Sequence, residues 1–361
     1  MNGKKKILYI VEAMGGGVFT YIVDLANKIV DDYEVYIAYA IRPQTPKNYR
    51  EYFNKKIKLI EVRNFTRTIN IIKDIKAFYE IKNIANEINP DIIHLHSSKA
   101  GVLGRLAFCR KKTEISIFYT PHGYSFLMSN QSKLKRIVYR LIEKICAKKG
   151  CITISCSYGE HQESLKITQN AEYIDNGINI EELNKLLNEN KKAKKTKFTV
   201  ATVGRICNQK NPEQFNKIAE CLSDIRFLWI GDGELRNKLT ADNIEITGWL
   251  ERKEVLEHLL DSDVFILTSL WEGLPIALLE SMYMKKICIV SNVIGNREVI
   301  QSGINGYVCD SIDDFCEAIK YSKKGECSHL SYKAYIDIIN KYNTNVMSEK
   351  YKKIYTKYNL D

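Results

Sequence analysis

The feature that most limits what this chain can fold into is an alternation. Short runs of β-branched and aromatic residues recur: KILYIV, EVYIAYA, IKLIEV, DIIHLH, ISIFYT and CITISC in the first half, FTVATVG, RFLWIGDG, DVFILTS and KICIVS in the second. Longer amphipathic stretches separate them. A strand with one wet face alternates polar and apolar residues. These runs are apolar almost throughout, so both of their faces must be covered. Strands of that kind, alternating with helices, build parallel sheets with helices on each side. The predicted fold class is therefore α/β, with two Rossmann-like, doubly wound parallel-sheet domains facing across a cleft. A length of 361 residues is comfortable for two cores.

The expected boundaries follow from turn and charge signals. Asn176-Gly177 is a turn dipeptide, and NKKAKKTK at 190–197 is lysine-rich without periodicity. Residues 1–180 are read as an N-terminal domain, 181–197 as a linker and 198–335 as a C-terminal domain. Residues 336–361 are read as a helix packing back on the first domain. In open α/β sheets, ligands bind beyond the carboxyl ends of the strands, so functional residues are sought just after each run.

Composition narrows the class. The chain is 45% hydrophobic and 27% charged, the balance of a soluble globular protein, and has no run of about 18 apolar residues. The basic-then-apolar start MNGKKKILYIVEA stops at Glu12 and a glycine cluster, and is read as a first strand rather than a leader. Ten cysteines include no C-x-x-C pair, which fits small buried hydrophobes in a reducing cytosol. The net charge of +11 is not evenly spread: residues 1–175 hold 28 Lys+Arg against 17 Asp+Glu, and residues 176–361 hold 26 of each. A basic half calls for an anionic partner on that side.

Several motifs follow strands. Gly15-Gly16-Gly17 comes after the first run, before a helix expected from about Phe19, and lets backbone amides approach an anion. His94, His96, Ser97, Ser98 and Lys99 lie at a strand end and helix start; the serines can cap, and His94, Ser97, Ser98 and Lys99 form a candidate set for a phosphate or an acceptor. The H-x-H pair lacks a third metal ligand. His122 in TPHG follows the next strand. Arg205 and Lys210 in VGRICNQKN sit before a helix and suit a diphosphate leaving group. Asp261-Ser262-Asp263 has the D-x-D form of a metal site but lies where a helix ends and a strand begins, away from the expected ligand end.

Residues 133–149 read as an amphipathic helix. Leu134, Ile137, Val138, Leu141, Ile142 and Ile145 keep helical spacing, while Arg136, Arg140, Lys144 and Lys148 form a row every four residues. This stretch holds seven basic residues and one acid, Glu143. It is either a core helix with a solvated basic face or, with Lys133, Arg136, Arg140, Lys144 and Lys148 in contact, a site for an anionic membrane surface. Nucleic acid is not expected, because no aromatic-rich strand surface or helix-turn-helix accompanies the charge.

In order, the elements GGGVFT, HLHSSKAGVLGRLA, TPHG, IDNGIN, VGRICNQKN, IGDGEL, EGLPIALLESM and GINGYV resemble glycosyltransferase family 4 on a GT-B fold, most like bacterial capsule and exopolysaccharide transferases. The most specific element is the pair Glu272 and Glu280, with seven residues between them. The resemblance implies a retaining, metal-independent transfer of a sugar from a nucleotide diphosphate, UDP rather than GDP, with no cofactor. It extends to a saccharide or polyprenyl-diphosphate-linked acceptor in cell-surface glycan synthesis, at the inner face of the cell membrane. Carried over by position, Arg205 and Lys210 neutralise the diphosphate and Glu272 contacts the donor sugar. Gly273, Leu274 and Pro275 are carried over as donor-binding. Ile276 and Ala277 offer helix-start amides, and Glu280 accepts from the ribose. Gly16 and Gly17 close over the diphosphate, and His122 touches the sugar. The chain departs from the family at Thr268, where proline is common, and at Lys285 and Ile287, where glycine and proline are common. A nucleotide-sugar epimerase of the same fold and a non-catalytic nucleotide-sugar-binding partner are the competing readings.

Overall fold

A computed structural model describes residues 3–66, 68–109, 115–128, 131–188 and 197–359. It divides into two compact units, one made of the first 127 residues, residues 131–176 and Thr344 onward, the other of Gly177–Asn343.

In the first unit seven parallel strands are β1 (Lys6–Met14), β2 (Glu34–Ile41), β3 (Lys58–Glu61), β4 (Ile92–His96), β5 (Ser116–Thr120), β6 (Ile152–Ser155) and β7 (Ala171–Tyr173), in the order β3-β2-β1-β4-β5-β6-β7. The helices are α1 (Gly16–Ile29), α2 (Ile71–Ile88), α3 (Ser98–Phe108), α4 (Lys133–Ala147) and α5 (Tyr158–Leu165). The second unit opens with α6 (Ile180–Asn188). It continues with β8 (Thr199–Val203), α7 (Pro212–Cys221), β9 (Arg226–Ile230), β10 (Ile244–Ile246), α8 (Arg252–Asp261), β11 (Val264–Leu267), α9 (Ile276–Tyr283), β12 (Ile287–Ser291), α10 (Asn296–Val299), β13 (Tyr307–Cys309), α11 (Ile312–Lys323) and α12 (Ser328–Asn340). Its six strands run β10-β9-β8-β11-β12-β13, again all parallel. The last helix, α13 (Thr344–Tyr358), belongs to the first unit.

Both sheets reverse their winding direction once, between β1 and β4 and between β8 and β11. Those switch points are where loops diverge and a ligand crevice opens. Every apolar run read from sequence is a strand. Three further strands, β7, β10 and β13, have three residues each and end their sheets. Edge strands this short are half-buried and carry no periodic signal. The helix after β1 starts at Gly16, not near Phe19. The expected linker is corrected too: 181–188 lie within α6, whose Leu183 is fully buried, while 189–196 fall outside the described residues. The unit boundaries lie at 176/177 and 343/344.

The core of the first unit has two layers. One joins α1 and α13 to one side of the sheet through Tyr21, Ile22, Leu25, Tyr351 and Tyr355. The other holds α2, α3 and α4 on the opposite side, through Ala77, Ile81, Ala100, Ala107 and Tyr139. Here α4 is inverted relative to an ordinary core helix. Its inward stripe is polar. Glu143 is buried and pairs with buried Arg105 at 2.7 Å; it also accepts from the Tyr119 hydroxyl at 3.0 Å. Arg136 donates to the Phe126 carbonyl at 2.9 Å, and Arg140 stacks over the Phe126 ring. Leu134, Ile137, Val138, Leu141, Ile142 and Ile145 face solvent instead. Two members of the expected membrane-facing row, Arg136 and Arg140, are therefore turned toward the protein, because Phe126 and Glu163 supply their partners. Removing one side of a buried pair such as Arg105–Glu143 costs about 3–5 kcal/mol, enough to hold the helix in this orientation.

Candidate active site

The second unit gathers its chemistry after β8 and β11, on either side of its switch point. After β8 the backbone passes Gly204 and Arg205 and makes a single 3-10 turn, Asn208–Lys210, before Pro212 starts α7. This loop is fastened to the one after β9: Ile206 N–H donates to the Asp232 carbonyl, and the Trp229 indole donates to the Gly204 carbonyl at 2.8 Å. Gly231 sits at φ +138, and a Cβ there would lie 2.3 Å from the Gly204 carbonyl oxygen, so only glycine permits the approach.

After β11 the chain runs through Thr268, Ser269 and Glu272 to Pro275, the residue just before α9. The Lys210 ammonium lies 2.6 Å from Glu272 Oε1, the Ser269 hydroxyl donates to the same oxygen at 2.7 Å, and the Gln209 amide donates to Oε2 at 3.2 Å. The Thr268 hydroxyl donates to the Lys210 carbonyl at 2.8 Å, which gives the residue found in place of proline a holding part. Gly295, at φ +86, lets its own loop press on the Gly273 carbonyl. Gly273, Leu274 and Pro275 are buried, and Ile276 and Ala277 open the helix. Their N–H groups have no partner within the helix, as in any first turn, and carry its positive dipole end. Arg205 lies 3.8 Å from Glu234.

Glu280 is the fifth residue of α9 and is buried. Arg252 of α8 approaches it at 2.7 Å and also lies 3.6 Å from Glu182 of α6. Burial raises the Glu280 carboxyl above its ordinary value, and Arg252 opposes that rise. Sequence reasoning missed Arg252, Gln209 and Ser269. Gln209 and Ser269 lie within three residues of the named positions, so proximity was their one available signal. Arg252 has none, because α8 meets α9 only in three dimensions.

In the first unit, His122 sits after β5 at φ +54, and its Nε2 lies 3.1 Å from His96 Nδ1. Tyr21 of α1 meets its ring edge-on at 4.7 Å and bonds the Tyr351 hydroxyl of α13. Burial lowers His122 to about 3, so the imidazole is neutral at ordinary pH. Gly123 N–H donates to buried Glu160 at 2.6 Å, pinning the TPHG turn. His94 is corrected from the acceptor set: it is fully buried, and its two nitrogens face the Tyr355 hydroxyl at 2.7 Å and the Thr120 hydroxyl at 2.9 Å. Lys99 is engaged with Asp74 at 2.8 Å and with the Thr68 carbonyl, and Ser98 with Ser125. Ser97 precedes α3 but does not cap it through its side chain. The β4 residue within hydrogen-bond distance of His122 is His96, two positions along the same strand from His94. Gly16 and Gly17 form the first turn of α1. Asp263 of the D-x-D sequence accepts from Thr199 N–H at 2.9 Å, tying β8 in place. Among the described residues no group of three or more His, Cys, Asp or Glu is gathered to hold a metal ion.

Two family profiles match in tandem: Glycosyltransferase Family 4 over residues 15–182, and Glycosyl transferases group 1 over residues 184–337. The chain is 30% identical over 339 residues to the UDP-Gal:alpha-D-GlcNAc-diphosphoundecaprenol alpha-1,3-galactosyltransferase of Escherichia coli, covering 84% of this chain and 85% of that one. It is 23% identical to the N,N'-diacetylbacillosaminyl-diphospho-undecaprenol alpha-1,3-N-acetylgalactosaminyltransferase of Campylobacter jejuni, over 81% of this chain and 84% of that one. Among solved structures, Anabaena Alr3699/HepE in complex with UDP and glucose superposes with a TM-score of 0.75 at 14% identity, covering 98% of this chain and all of the other. With two Rossmann-like units, profile matches over residues 15–182 and 184–337 and a relative 30% identical over most of both chains, the chain belongs to glycosyltransferase family 4 and is a glycosyltransferase of the GT-B fold.

Proposed function

We propose that the enzyme transfers a sugar from a UDP-sugar to a lipid-linked saccharide, with retention at the anomeric carbon and without a metal ion, during assembly of a bacterial surface polysaccharide. The observation that carries the reading is the Lys210–Glu272 pair beside the α9 N-terminus, at the switch point of the second sheet. As the bond from the anomeric carbon to the diphosphate breaks, negative charge grows on the departing phosphate. Lys210, Arg205 and the Ile276 and Ala277 amides are preorganised to meet that charge, which stabilises the transition state more than the ground state. These cations take the part a divalent ion plays elsewhere. Glu272 positions Lys210 and accepts from the donor sugar. Glu280, oriented by Arg252, accepts from the ribose. Neutral His122, held by His96, donates to or accepts from the sugar near the reacting bond.

The two relatives named for diphospho-undecaprenol acceptors support a lipid-linked acceptor, and hence a place at the cytoplasmic face of the membrane. The test is incubation of the purified protein with UDP-sugars and a polyprenyl-diphosphate-linked saccharide, with the product anomer read by NMR. Transfer in the presence of EDTA with an α-linked product from an α-linked donor supports the reading. An inverted product, a requirement for added metal, or isomerisation of the donor without acceptor would overturn it.

A further inference from the structure

On the sheet face that carries them, α3 packs between α2 and α4, and it bears two cations, Lys99 in its first turn and Arg105 near its end. Each takes the acid of a neighbouring helix inward: Lys99 holds Asp74 of α2 at 2.8 Å, and Arg105 holds Glu143 of α4 at 2.7 Å. These are the only acids in residues 69–79 and 131–150. What α4 and the first two turns of α2 turn outward is consequently apolar and basic; further along α2, Glu87 is exposed. On α4, Leu134 is 72% exposed, Ile137 63%, Leu141 55% and Ile145 53%. On α2, Ile71 and Ile72 are 73% and 70% exposed. Around α4, at roughly 100° per residue, the apolar stripe is centred nearly opposite the Glu143 stripe, with Lys133 and Lys144 along one border and Lys135 along the other. On α2, exposed Lys73 and Lys76 lie in the same turns as the isoleucines.

We infer that this surface is a membrane-docking platform, in which the apolar face of α4 and the first turns of α2 enter the interfacial layer of an anionic leaflet while the flanking lysines reach its phosphates. The charge complementarity selects the occupant. A protein partner needs apolar surface matched by polar contacts of both signs, whereas this surface offers hydrocarbon rimmed by one sign of charge, the pattern of helices that lie in a lipid interface. At 15 residues α4 is about 22 Å long, too short to span the bilayer and suited to lying in its surface. No described helix is long and apolar enough to cross a membrane. The inference rests on the reading that the acceptor is lipid-linked, and it changes the mode of attachment. Attachment through the basic row alone would leave the apolar stripe in water; docking of this platform buries that stripe while the lysines supply the charge attraction.

The test uses the full chain and sedimentation with vesicles of phosphatidylcholine, with or without phosphatidylglycerol. Wild type is expected to sediment with the mixed vesicles and weakly with the neutral ones. I137N/L141N, which changes only exposed residues, and K133E/K144E are each expected to lower partitioning at least about tenfold. Fluorescence of L141W is expected to shift to the blue on mixed vesicles, which reports entry of that residue into hydrocarbon. Wild-type partitioning by I137N/L141N, or no blue shift for L141W, overturns the insertion. So does a soluble wild-type dimer that I137N/L141N converts to monomer without any vesicle binding, since a second copy then covers the face. The vesicle assay needs no donor, and K210A is expected to bind vesicles like wild type. Failure of docking therefore leaves transfer to a detergent-dispersed acceptor intact, and failure of the transfer reading leaves vesicle binding intact.

Discussion

The Lys210 ammonium rests on Glu272 Oε1 at 2.6 Å, in a site where the Ser269 hydroxyl also donates to that oxygen. The cation proposed for the diphosphate is thus held by the acid proposed for the sugar. Their contributions should be coupled. K210A and E272Q are each expected to lower kcat/KM about 10²–10³-fold. The double variant should lose far less than the product of the two. Steady-state kinetics over the four proteins measures the coupling, and strict additivity would separate the two roles.

His122 is expected to act as a neutral imidazole. With its pKa near 3, activity should show no limb in the usual histidine range. H96F, which removes the 3.1 Å contact to His122 without touching substrate, should reduce kcat several-fold, with donor KM little changed. A pH–rate profile and NMR titration of the imidazole signals check both points. An acid limb that vanishes in H122Q would refute the neutral form.

The buried histidines also set a stability trend. His94 and His96 are driven well below their ordinary value by burial, so below pH about 6.5 the unfolded chain binds protons that the folded chain does not. Stability should fall as pH drops from about 6.5, by up to about 1.4 kcal/mol per pH unit for each histidine. Urea midpoints between pH 7 and pH 5 measure the slope, and H94F should flatten it.

Glu280 titrates in the other direction. Its raised value means that it takes up a proton at higher pH than a free carboxyl. If the ionised form accepts from the ribose, donor KM should rise as pH falls through that raised value, with kcat little affected. E280Q should abolish the dependence and weaken donor binding about 10–100-fold at neutral pH, the worth of a hydrogen bond to a charged acceptor.

Lys285 has a φ of +56, with the ammonium over the Tyr335 ring at 4.6 Å. K285A keeps the left-handed strain and loses the ring contact. K285G loses both. The glycine variant should therefore be about 1–2 kcal/mol more stable than the alanine variant in thermal or urea unfolding.

Nine of the ten longer strands were readable because parallel strands buried on both faces must be apolar throughout; β3, a half-exposed edge, was readable from the apolar residues of IKLIEV, and β7, β10 and β13 were not, because an edge of three residues is too short to carry such a run. The pair Glu272 and Glu280, with Pro275 between, was legible as loop then helix, since proline cannot stand inside one. Arg252 was silent: its meaning comes from α8 lying against α9, not from its neighbours in sequence. The orientation of α4 was silent for a related reason. Amphipathic spacing shows that a helix has two faces but not which is inward, and Arg105, 38 positions before Glu143, decided it.

The chain leaves the first unit at Asn176 and returns to it at Thr344, and the returning α13 supplies Tyr351 to Tyr21 and Tyr355 to His94. During synthesis this imposes an order. The ribosome has released all of Gly177–Asn343 before the first 176 residues receive the helix that closes their core. Until then one layer of that core, with the histidine cluster at its centre, stands open to water. Nascent chains halted between the two points should hold a protease-resistant second unit beside a first unit that is still cleavable, so its histidine cluster would be among the last parts of the protein to become ordered.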